Sequence, residues 1–390
     1  MSLQNPIFIP GPTNIPDELR RAVDYPSIDH RSDIFAEMFQ PIAAGVRRIL
    51  KSQDAEVVLF PSTGTGAWEA VITNSLSPGD KVLAARYGMF SERWIALCRR
   101  HGIEVSVIET PWGEGAPAAA FEDVLAKDTD KRIRAVLVCH NETATGVKSD
   151  VAAVRRAIDA ASHPAMLFVD GVSSIASMDF AMDEWRVDAA ITGSQKGFML
   201  PAGLAILALS AKAIEAMDGA RCARCFFDVR DMLKSNSAGG FPYTPPVNLI
   251  RGLGAAIELL EKEGMENVFA RHRRIATGVR KAVACWGLSL CARSPSLYSD
   301  TVSAVLVPSG FDGTKVVTHA AQKYGVAFGV GLGDVAGKVF RIGHLGAMTD
   351  VMMLSGLAAI EMVMADLGFS IELGSGVSAA QAYYRGHPDA

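Results

Sequence analysis

The chain has few cysteines and no arrangement of them that indicates a disulfide framework or a metal centre. Six cysteines in 390 residues are far below the density of small disulfide-stabilised secreted domains. Cys222 and Cys225 form a single C-x-x-C pair, whereas a zinc site would need a second pair of ligands. We therefore expect no bound metal.

The chain also lacks a surplus of basic residues and a long apolar segment. Its formal net charge is −4, without the positive charge that nucleic-acid binding requires. The longest nearly apolar run, 201–211, is shorter than the roughly 20 residues that a membrane-spanning helix needs. The first residues show no basic segment followed by an apolar one. We expect a cytoplasmic protein with neither nucleic acid nor membrane as a partner.

What is present is an alternation of apolar strand-like runs with helical patterns. The composition, 49% hydrophobic and 21% charged, is that of a globular protein. The strand-like runs are 57–60, 81–85, 105–108, 135–139, 166–169, 189–192 and 204–209. Such alternation predicts an α/β fold with a mostly parallel sheet and helices on both faces.

The pattern changes after residue 245. Helical patterns cover 247–263, 265–286, 313–323 and 350–367, and strand-like runs lie at 304–307 and 339–342. We predict an N-terminal segment near the active site (1–20), a large domain (21–260) and a small C-terminal α+β domain (261–390).

Polar residues follow several of the predicted strands, at the sheet edge where open α/β folds bind ligands. Ser62–Gly66 follows the first strand and opens a helix, an arrangement that can hold a phosphate group. Glu at position 69 breaks the dinucleotide-binding glycine pattern, and a P-loop lysine is missing. The alternative is a glycine-rich helix cap without a ligand.

Three more polar groups follow later strands. His140–Gly146 is a polar cluster or a solvated loop. Asp170 follows an apolar strand, where a carboxylate needs a partner or caps a helix. Lys196 lies between a predicted strand and an apolar loop, where a lysine is a candidate Schiff-base nucleophile, unless it reaches solvent. A phosphate site, an acid and a lysine at one sheet edge are typical of pyridoxal 5′-phosphate (PLP) enzymes.

With these residues in place, the sequence resembles the class V (fold-type I) PLP-dependent aminotransferases, in the serine–glyoxylate and alanine–glyoxylate branch. The resemblance covers essentially the whole chain. The matching segments are 10–14, 62–69, 170–174, 193–197, 243–246 and 337–343. The resemblance implies a fold-type I transferase.

The resemblance implies that Lys196 is the catalytic residue and that Asp170 binds the cofactor. Lys196 would be the Schiff-base lysine and the base that moves the substrate α-proton. Asp170 would pair with the pyridine nitrogen of the cofactor.

It also implies how the cofactor is held. The residues that would contact PLP are Thr63, Gly64, Thr65 and Gln195 at the phosphate, Thr244 from the other subunit at the same phosphate, Thr143 at the phenolic oxygen and Phe90 on the ring. Many members have a tyrosine where this chain has Phe241, so that contact is lost or is taken over by Tyr243.

Arg341 and Gly11 would border the substrate. Arg341 lies in a strand-like run, where an arginine is either a structural ion pair or a bidentate clamp for a carboxylate. The resemblance implies that it binds the substrate α-carboxylate.

The resemblance therefore predicts transfer of an amino group from a small L-amino acid, with serine favoured, to glyoxylate by a ping-pong mechanism. Aspartate and alanine are the alternative donors. Aspartate needs a cation for its second carboxylate, which Arg31 would supply unless it is solvated or structurally paired. The resemblance also implies a homodimer with shared active sites, or a tetramer of such dimers.

Two other classes compete with this interpretation. A cysteine desulfurase-like lyase would need a nucleophilic cysteine on a loop of the small domain, but the last cysteine is Cys291, near the start of that domain. A non-catalytic PLP-binding relative would have no need of Lys196, Asp170 and Arg341 together.

Overall fold

The computed structural model describes residues 5–388. The strands are β1 (Ile7–Phe8), β2 (Glu56–Phe60), β3 (Lys81–Arg86), β4 (Glu104–Glu109), β5 (Ile133–Cys139), β6 (Asn141–Glu142), β7 (Val147–Lys148), β8 (Met166–Asp170), β9 (Ala189–Gly193), β10 (Ala205–Leu209), β11 (Ser289–Leu290), β12 (Val302–Leu306), β13 (Ala327–Val330) and β14 (Val339–Gly343). The helices are α1 (Asp17–Val23), α2 (Asp33–Ile49), α3 (Gly64–Ser75), α4 (Met89–Arg100), α5 (Ala118–Lys127), α6 (Val151–Ala160), α7 (Ala211–Ala216), α8 (Val229–Asn236), α9 (Val247–Glu263), α10 (Met265–Cys285), α11 (Gly313–Tyr324), α12 (Asp350–Asp366) and α13 (Ser375–Gly386).

A seven-stranded sheet in the order β2-β10-β9-β8-β5-β3-β4 forms the centre of the large domain. Its strands pair in parallel except β10, which is antiparallel to both neighbours. The predicted α/β class with a mostly parallel sheet is confirmed. Every residue of β8, β9 and β10 is buried, as expected for strands that are covered on both faces.

The helices of the large domain bury one side against this sheet. Helix α2 packs on β2, α3 on β9 and β10, and α4 on β3 and β4. In α2 the buried residues Phe35, Phe39, Ile42 and Val46 recur at helical spacing, so one apolar stripe faces the core.

A second sheet of five strands, in the order β1-β13-β14-β12-β11, lies in the C-terminal part of the chain. Its first strand comes from the N-terminus, because β1 pairs in parallel with β13. The sequence pattern predicts β12 and β14 but not β1, β11 and β13, which have only two to four residues each and too little periodicity to recognise.

The apolar side chains form two main cores. One includes Leu19 to Phe269 and surrounds the seven-stranded sheet, and the other includes Phe8 and residues from Ile275 to Tyr384. Helix α10 contributes to both. The division at 1–20, 21–260 and 261–390 stays a prediction, with which this arrangement is consistent.

The structure also bears on the membrane question. Within residues 5–388, no helix is both long enough and apolar enough to cross a bilayer.

Candidate active site

The sheet brings four strand ends to one edge. Strands β5, β8 and β9 run in parallel, and β2 has the same direction because β10 is antiparallel to both β2 and β9. The residues that follow these strands therefore meet at their carboxyl ends, where open α/β sheets bind ligands.

Lys196 follows β9 and reaches toward the N-terminal segment. Its Nζ donates a hydrogen bond to the carbonyl of Pro10, and its own carbonyl accepts one from the Thr13 hydroxyl. Gly11 has a positive φ of 96°, and a Cβ there would lie 2.4 Å from Lys196 Cδ. Glycine is thus required both by the backbone conformation and by the lysine beside it.

The Lys196 amine loses its proton more easily than an ordinary lysine. Burial, and after it the positive charge of Arg341, lowers its pKa from 10.5 to about 8. A pKa in this range leaves a usable fraction of the amine uncharged near neutral pH, as a nucleophile or base requires.

Asp170 ends β8 with its carboxyl group almost completely buried. Its Oδ1 accepts a hydrogen bond from the Val172 N–H at 2.8 Å, and its Oδ2 lies 3.7 Å from the Cys139 thiol. Burial raises the pKa of Asp170 to about 7. This carboxyl group has no cationic partner within residues 5–388, so a protonated ring nitrogen would stabilise its charge.

The N-terminus of α3 and Gln195 form the candidate phosphate site. Thr63 precedes the helix, but its hydroxyl does not cap it, and the first N–H groups of a helix have no intrahelical partner. A Cβ at Gly64 would lie 2.4 Å from Val172, which places this turn beside the Asp170 loop. Gln195 Oε1 is buried without a hydrogen-bond partner in the described chain, and amide orientation is interchangeable.

Thr143 and Ser173 form a hydrogen-bonded pair between the polar cluster and the Asp170 loop. Their hydroxyl groups lie 2.7 Å apart, and the Asn141 amide also donates to Ser173 Oγ at 2.8 Å. Residues 140–146 are nearly all buried, so the alternative of a solvated loop is wrong.

Arg341 has the environment of an anion-binding residue. It is 6% exposed; its Nε donates to the Val330 carbonyl at 2.8 Å and one terminal nitrogen to the Thr143 carbonyl at 3.0 Å. Burial lowers its pKa to about 10, so it is still charged at neutral pH. No carboxylate of residues 5–388 forms an ion pair with it, which disfavours the structural alternative and favours a clamp for a carboxylate.

Phe90 lies in the first turn of α4 and is half-buried. Its ring centroid is 5.7 Å from the Arg93 guanidinium carbon. Its backbone N–H donates to Glu142, which connects it to the cluster that contains Thr143.

Tyr243 and Thr244 are not brought into this cluster within one chain. Tyr243 stacks on Phe226 with ring centroids 4.8 Å apart and donates its hydroxyl proton to the Phe226 carbonyl. Thr244 is exposed. Phe241 packs against Phe35 and Phe39. The contact of Thr244 with a phosphate in the other subunit stays a prediction.

Three residues at the site were not singled out by sequence reasoning: Cys139, Glu142 and Ser173. Glu142 is the most consequential, because its carboxylate binds the start of α4. A signal for it exists in the sequence: Gly88 precedes α4 where a capping Ser, Thr, Asp or Asn is expected, so the cap must come from elsewhere.

The residues present fit PLP. A free helix N-terminus with a buried amide suits the phosphate, a buried carboxyl suits the ring nitrogen, and a lysine with a lowered pKa suits the aldehyde. Within the described part of the chain, no group of three or more His, Cys, Asp or Glu side chains is arranged to hold a metal ion.

Comparison with known proteins gives a consistent result. The profile of the family described as aminotransferase class V matches residues 20–333. The chain is 66% identical over 385 residues to the L-aspartate–glyoxylate aminotransferase of Paracoccus denitrificans, covering 99% of this chain and 97% of that protein. It is 52% identical over 386 residues to the serine–glyoxylate aminotransferase of Hyphomicrobium methylovorum, covering 98% and 95%.

The fold matches a solved structure over nearly its whole length. The pyridoxamine–pyruvate aminotransferase of Mesorhizobium loti superposes with a TM-score of 0.91 at 27% identity, and the match covers 99% of each chain.

Proposed function

The chain belongs to the class V aminotransferase family, and from that premise we propose that it transfers the amino group of a small L-amino acid to glyoxylate by a ping-pong mechanism. The observation that carries the proposal is that Asp170 and Lys196 lie at the carboxyl edge of the seven-stranded sheet, and that Arg341, from β14 of the second sheet, reaches the same place. The Arg341 charge acts on the Lys196 amine, and its guanidinium donates to the Thr143 carbonyl. Two relatives that share more than half of their residues with this chain are both glyoxylate aminotransferases by name.

Each of these residues has a task in such a reaction. When bound, PLP supplies an electron-accepting ring that stabilises negative charge on the substrate α-carbon. Arg341 binds the α-carboxylate, Asp170 keeps the proton on the ring nitrogen, and the Lys196 amine takes up and returns the α-proton. The amino acid donor and glyoxylate use the same clamp in turn.

We propose that the other predicted residues hold the cofactor. Thr63, Gly64, Thr65 and Gln195 would bind the phosphate, Thr143 the phenolic oxygen, and Phe90 one face of the ring. Thr244 is exposed and outside the cluster, which supports a contribution to the site of the other subunit in a homodimer. Tyr243 would have to break its stacking on Phe226 before its hydroxyl group could contact the phosphate. A cytoplasmic location stays a prediction from the sequence.

The lyase alternative receives no support from the last cysteine. Cys291 is buried, and burial raises the pKa of its thiol to about 11. A desulfurase needs a reactive thiolate on an accessible loop, and Cys291 offers neither.

Two donors have specific support. Serine has a single carboxylate, which matches the one buried guanidinium without an ion pair among residues 5–388, that of Arg341. Aspartate is favoured by the 66% identical relative, and it would need a second cation. Arg31 is exposed, and only its backbone N–H is bound, to Asp29 at 2.9 Å. Within residues 5–388 the Arg31 guanidinium forms no ion pair, so it is available to bind a second carboxylate.

The donor can be identified in a single half-reaction. We expect the visible absorption band of the PLP-loaded protein to disappear on mixing with the physiological donor, without acceptor, and to return when glyoxylate is added. Serine, aspartate and alanine are compared by stopped-flow spectroscopy. If none of the three removes the band, the proposed function is wrong.

The role of Arg31 is tested in the same assay. If aspartate is the donor, Arg31→Ala should weaken aspartate binding and leave serine binding unchanged, because only aspartate has the second carboxylate. Arg100→Ala, an exposed arginine that forms no ion pair in the described chain, is the matched control. Equal effects on both donors would contradict the assignment.

The lowered pKa of Lys196 predicts how cofactor uptake depends on pH. An amine with a pKa of about 8 is uncharged in about one molecule in ten at pH 7, against fewer than about one in a thousand for an ordinary lysine. The rate at which the apoprotein takes up PLP should therefore rise with pH, with a half-maximum near 8. Stopped-flow absorbance over a pH series measures it.

Asp170 titrates in the same range, so the series is repeated with Asp170→Asn to remove its contribution. A half-maximum near the ordinary lysine value of 10.5 in both proteins would contradict the prediction.

A further inference from the structure

Glu142 is completely buried, yet it forms no ion pair with any cation of residues 5–388. Burial raises its pKa. A buried carboxylate without a cation is costly unless strong hydrogen-bond donors surround it. The hydrogen-bond donors around the Glu142 carboxylate therefore indicate its role.

The donors are backbone N–H groups from two separate segments. Oε2 accepts from Ser91 at 3.0 Å and from Phe90 at 3.1 Å, and Oε1 accepts from Ala144 at 3.2 Å. The first two belong to the start of α4, where a negative charge is stabilised by the helix dipole. One carboxylate thus joins the start of α4 to the turn after β6.

Gly88 makes this contact possible. It has an extended backbone that any residue can adopt (φ 177°), but a Cβ there would lie 2.2 Å from Glu142 Cδ. The missing side chain leaves the space that the carboxylate fills.

The turn held by Glu142 also anchors Arg341. The Thr143 carbonyl accepts a hydrogen bond from the guanidinium at 3.0 Å. Glu142 is the carboxylate that opposes the effect of burial on the Arg341 pKa. It does so without touching the guanidinium, which therefore keeps its free edge for a ligand.

From these contacts we propose that Glu142 is a positioning residue: its carboxylate fixes Phe90 and Arg341 relative to each other through the start of α4 and the Thr143 turn. The inference rests on the proposed function, in which Phe90 faces the cofactor and Arg341 binds the substrate. The consequence is that Phe90, beside the cofactor, and Arg341, which binds the substrate, stay at a fixed distance from each other.

The test replaces Glu142 by glutamine, which keeps the shape but removes the charge and turns an NH₂ group toward the backbone donors. In the PLP-loaded protein we expect kcat/KM for donor and acceptor to fall about a hundredfold, as for a misplaced reactive group. In the apoprotein we expect the PLP dissociation constant to rise about tenfold, and the amides of residues 89–91 to exchange hydrogen faster.

Glu361 provides a matched control. Glu361, in α12, is also buried and accepts hydrogen bonds from the N–H groups of Gly374 at 2.6 Å and Gly376 at 2.7 Å, at the start of α13. The helix that it caps is α13, which is not part of the candidate site. Glu361→Gln should lower the melting temperature as much as Glu142→Gln does, while PLP affinity and kcat/KM stay within about threefold of the parent protein.

If Glu142→Gln behaves like Glu361→Gln, Glu142 is a structural cap only and the proposal is wrong. Should Glu142→Gln fail to fold, Gly88→Ala displaces the carboxylate from the other side, and we expect the same loss of PLP affinity. Failure of the proposed function is distinguishable: the parent protein would then transaminate no donor, while PLP affinity and amide exchange still test the role of Glu142.

Discussion

Lys196→Ala should lower kcat by at least about four orders of magnitude, the upper range of what a positioned acid–base group contributes. The substitution removes the amine that both attaches the cofactor and moves the α-proton. The charges of Asp170 and Arg341 both act on the pKa of the Lys196 amine. Steady-state rates with the donor identified above measure the loss. Mass spectrometry after borohydride reduction should find PLP attached at Lys196 in the parent protein and absent from the variant.

Lys212 is the matched control for this substitution. Burial lowers its pKa too, and its Nζ donates to the Ala165 carbonyl at 3.1 Å, but it begins α7 after β10, apart from the cluster. Lys212→Ala should keep the activity and the PLP attachment. Residual activity above about one per cent in Lys196→Ala would show that another group carries the proton transfer.

The sequence was sufficient for the large sheet because its central strands β8, β9 and β10 are buried along their whole length. Runs such as 166–169 and 204–209 are uninterrupted apolar segments, and each coincides with an observed strand to within a residue or two. The short strands β1 and β11 have two residues each, and each exists only through pairing with another strand. Ile7 of β1 pairs with Ala327, at the other end of the chain, and Ser289 of β11 pairs with Leu306 of the next strand. Local pattern does not contain that information.

The same distinction holds for the site. Asp170 and Lys196 were predictable because Asp170 ends an apolar strand and Lys196 comes shortly after another, and the fold brings such positions together. Glu142 follows a strand as well, but its partners are the N–H groups of Phe90 and Ser91, about 50 residues earlier in the chain. Nothing in the 140–146 run alone indicates that it caps α4. The role proposed for Thr244 depends on a second subunit, which one chain does not contain.

Arg341→Lys should lower kcat/KM roughly 30-fold to several thousand-fold. This corresponds to about 2–5 kcal/mol, the usual loss of binding energy when a buried charged partner of a carboxylate is removed or misplaced. Lysine keeps the charge but not the planar fork that binds a carboxylate through two N–H groups. It also cannot keep both existing bonds, to the Val330 and Thr143 carbonyls. Most of the loss should be in KM if the clamp acts equally on bound substrate and transition state.

The pattern of the loss tests the clamp more sharply than its size. If one site serves both half-reactions, the amino donor and glyoxylate use the same guanidinium, so kcat/KM should fall by a similar factor for each. Arg155→Lys is the control, because Arg155 is also buried but is paired with Asp159 at 2.7 Å, and it should leave both values unchanged. A loss confined to the donor would mean that glyoxylate binds elsewhere, and the assignment of Arg341 as the shared carboxylate clamp would be wrong.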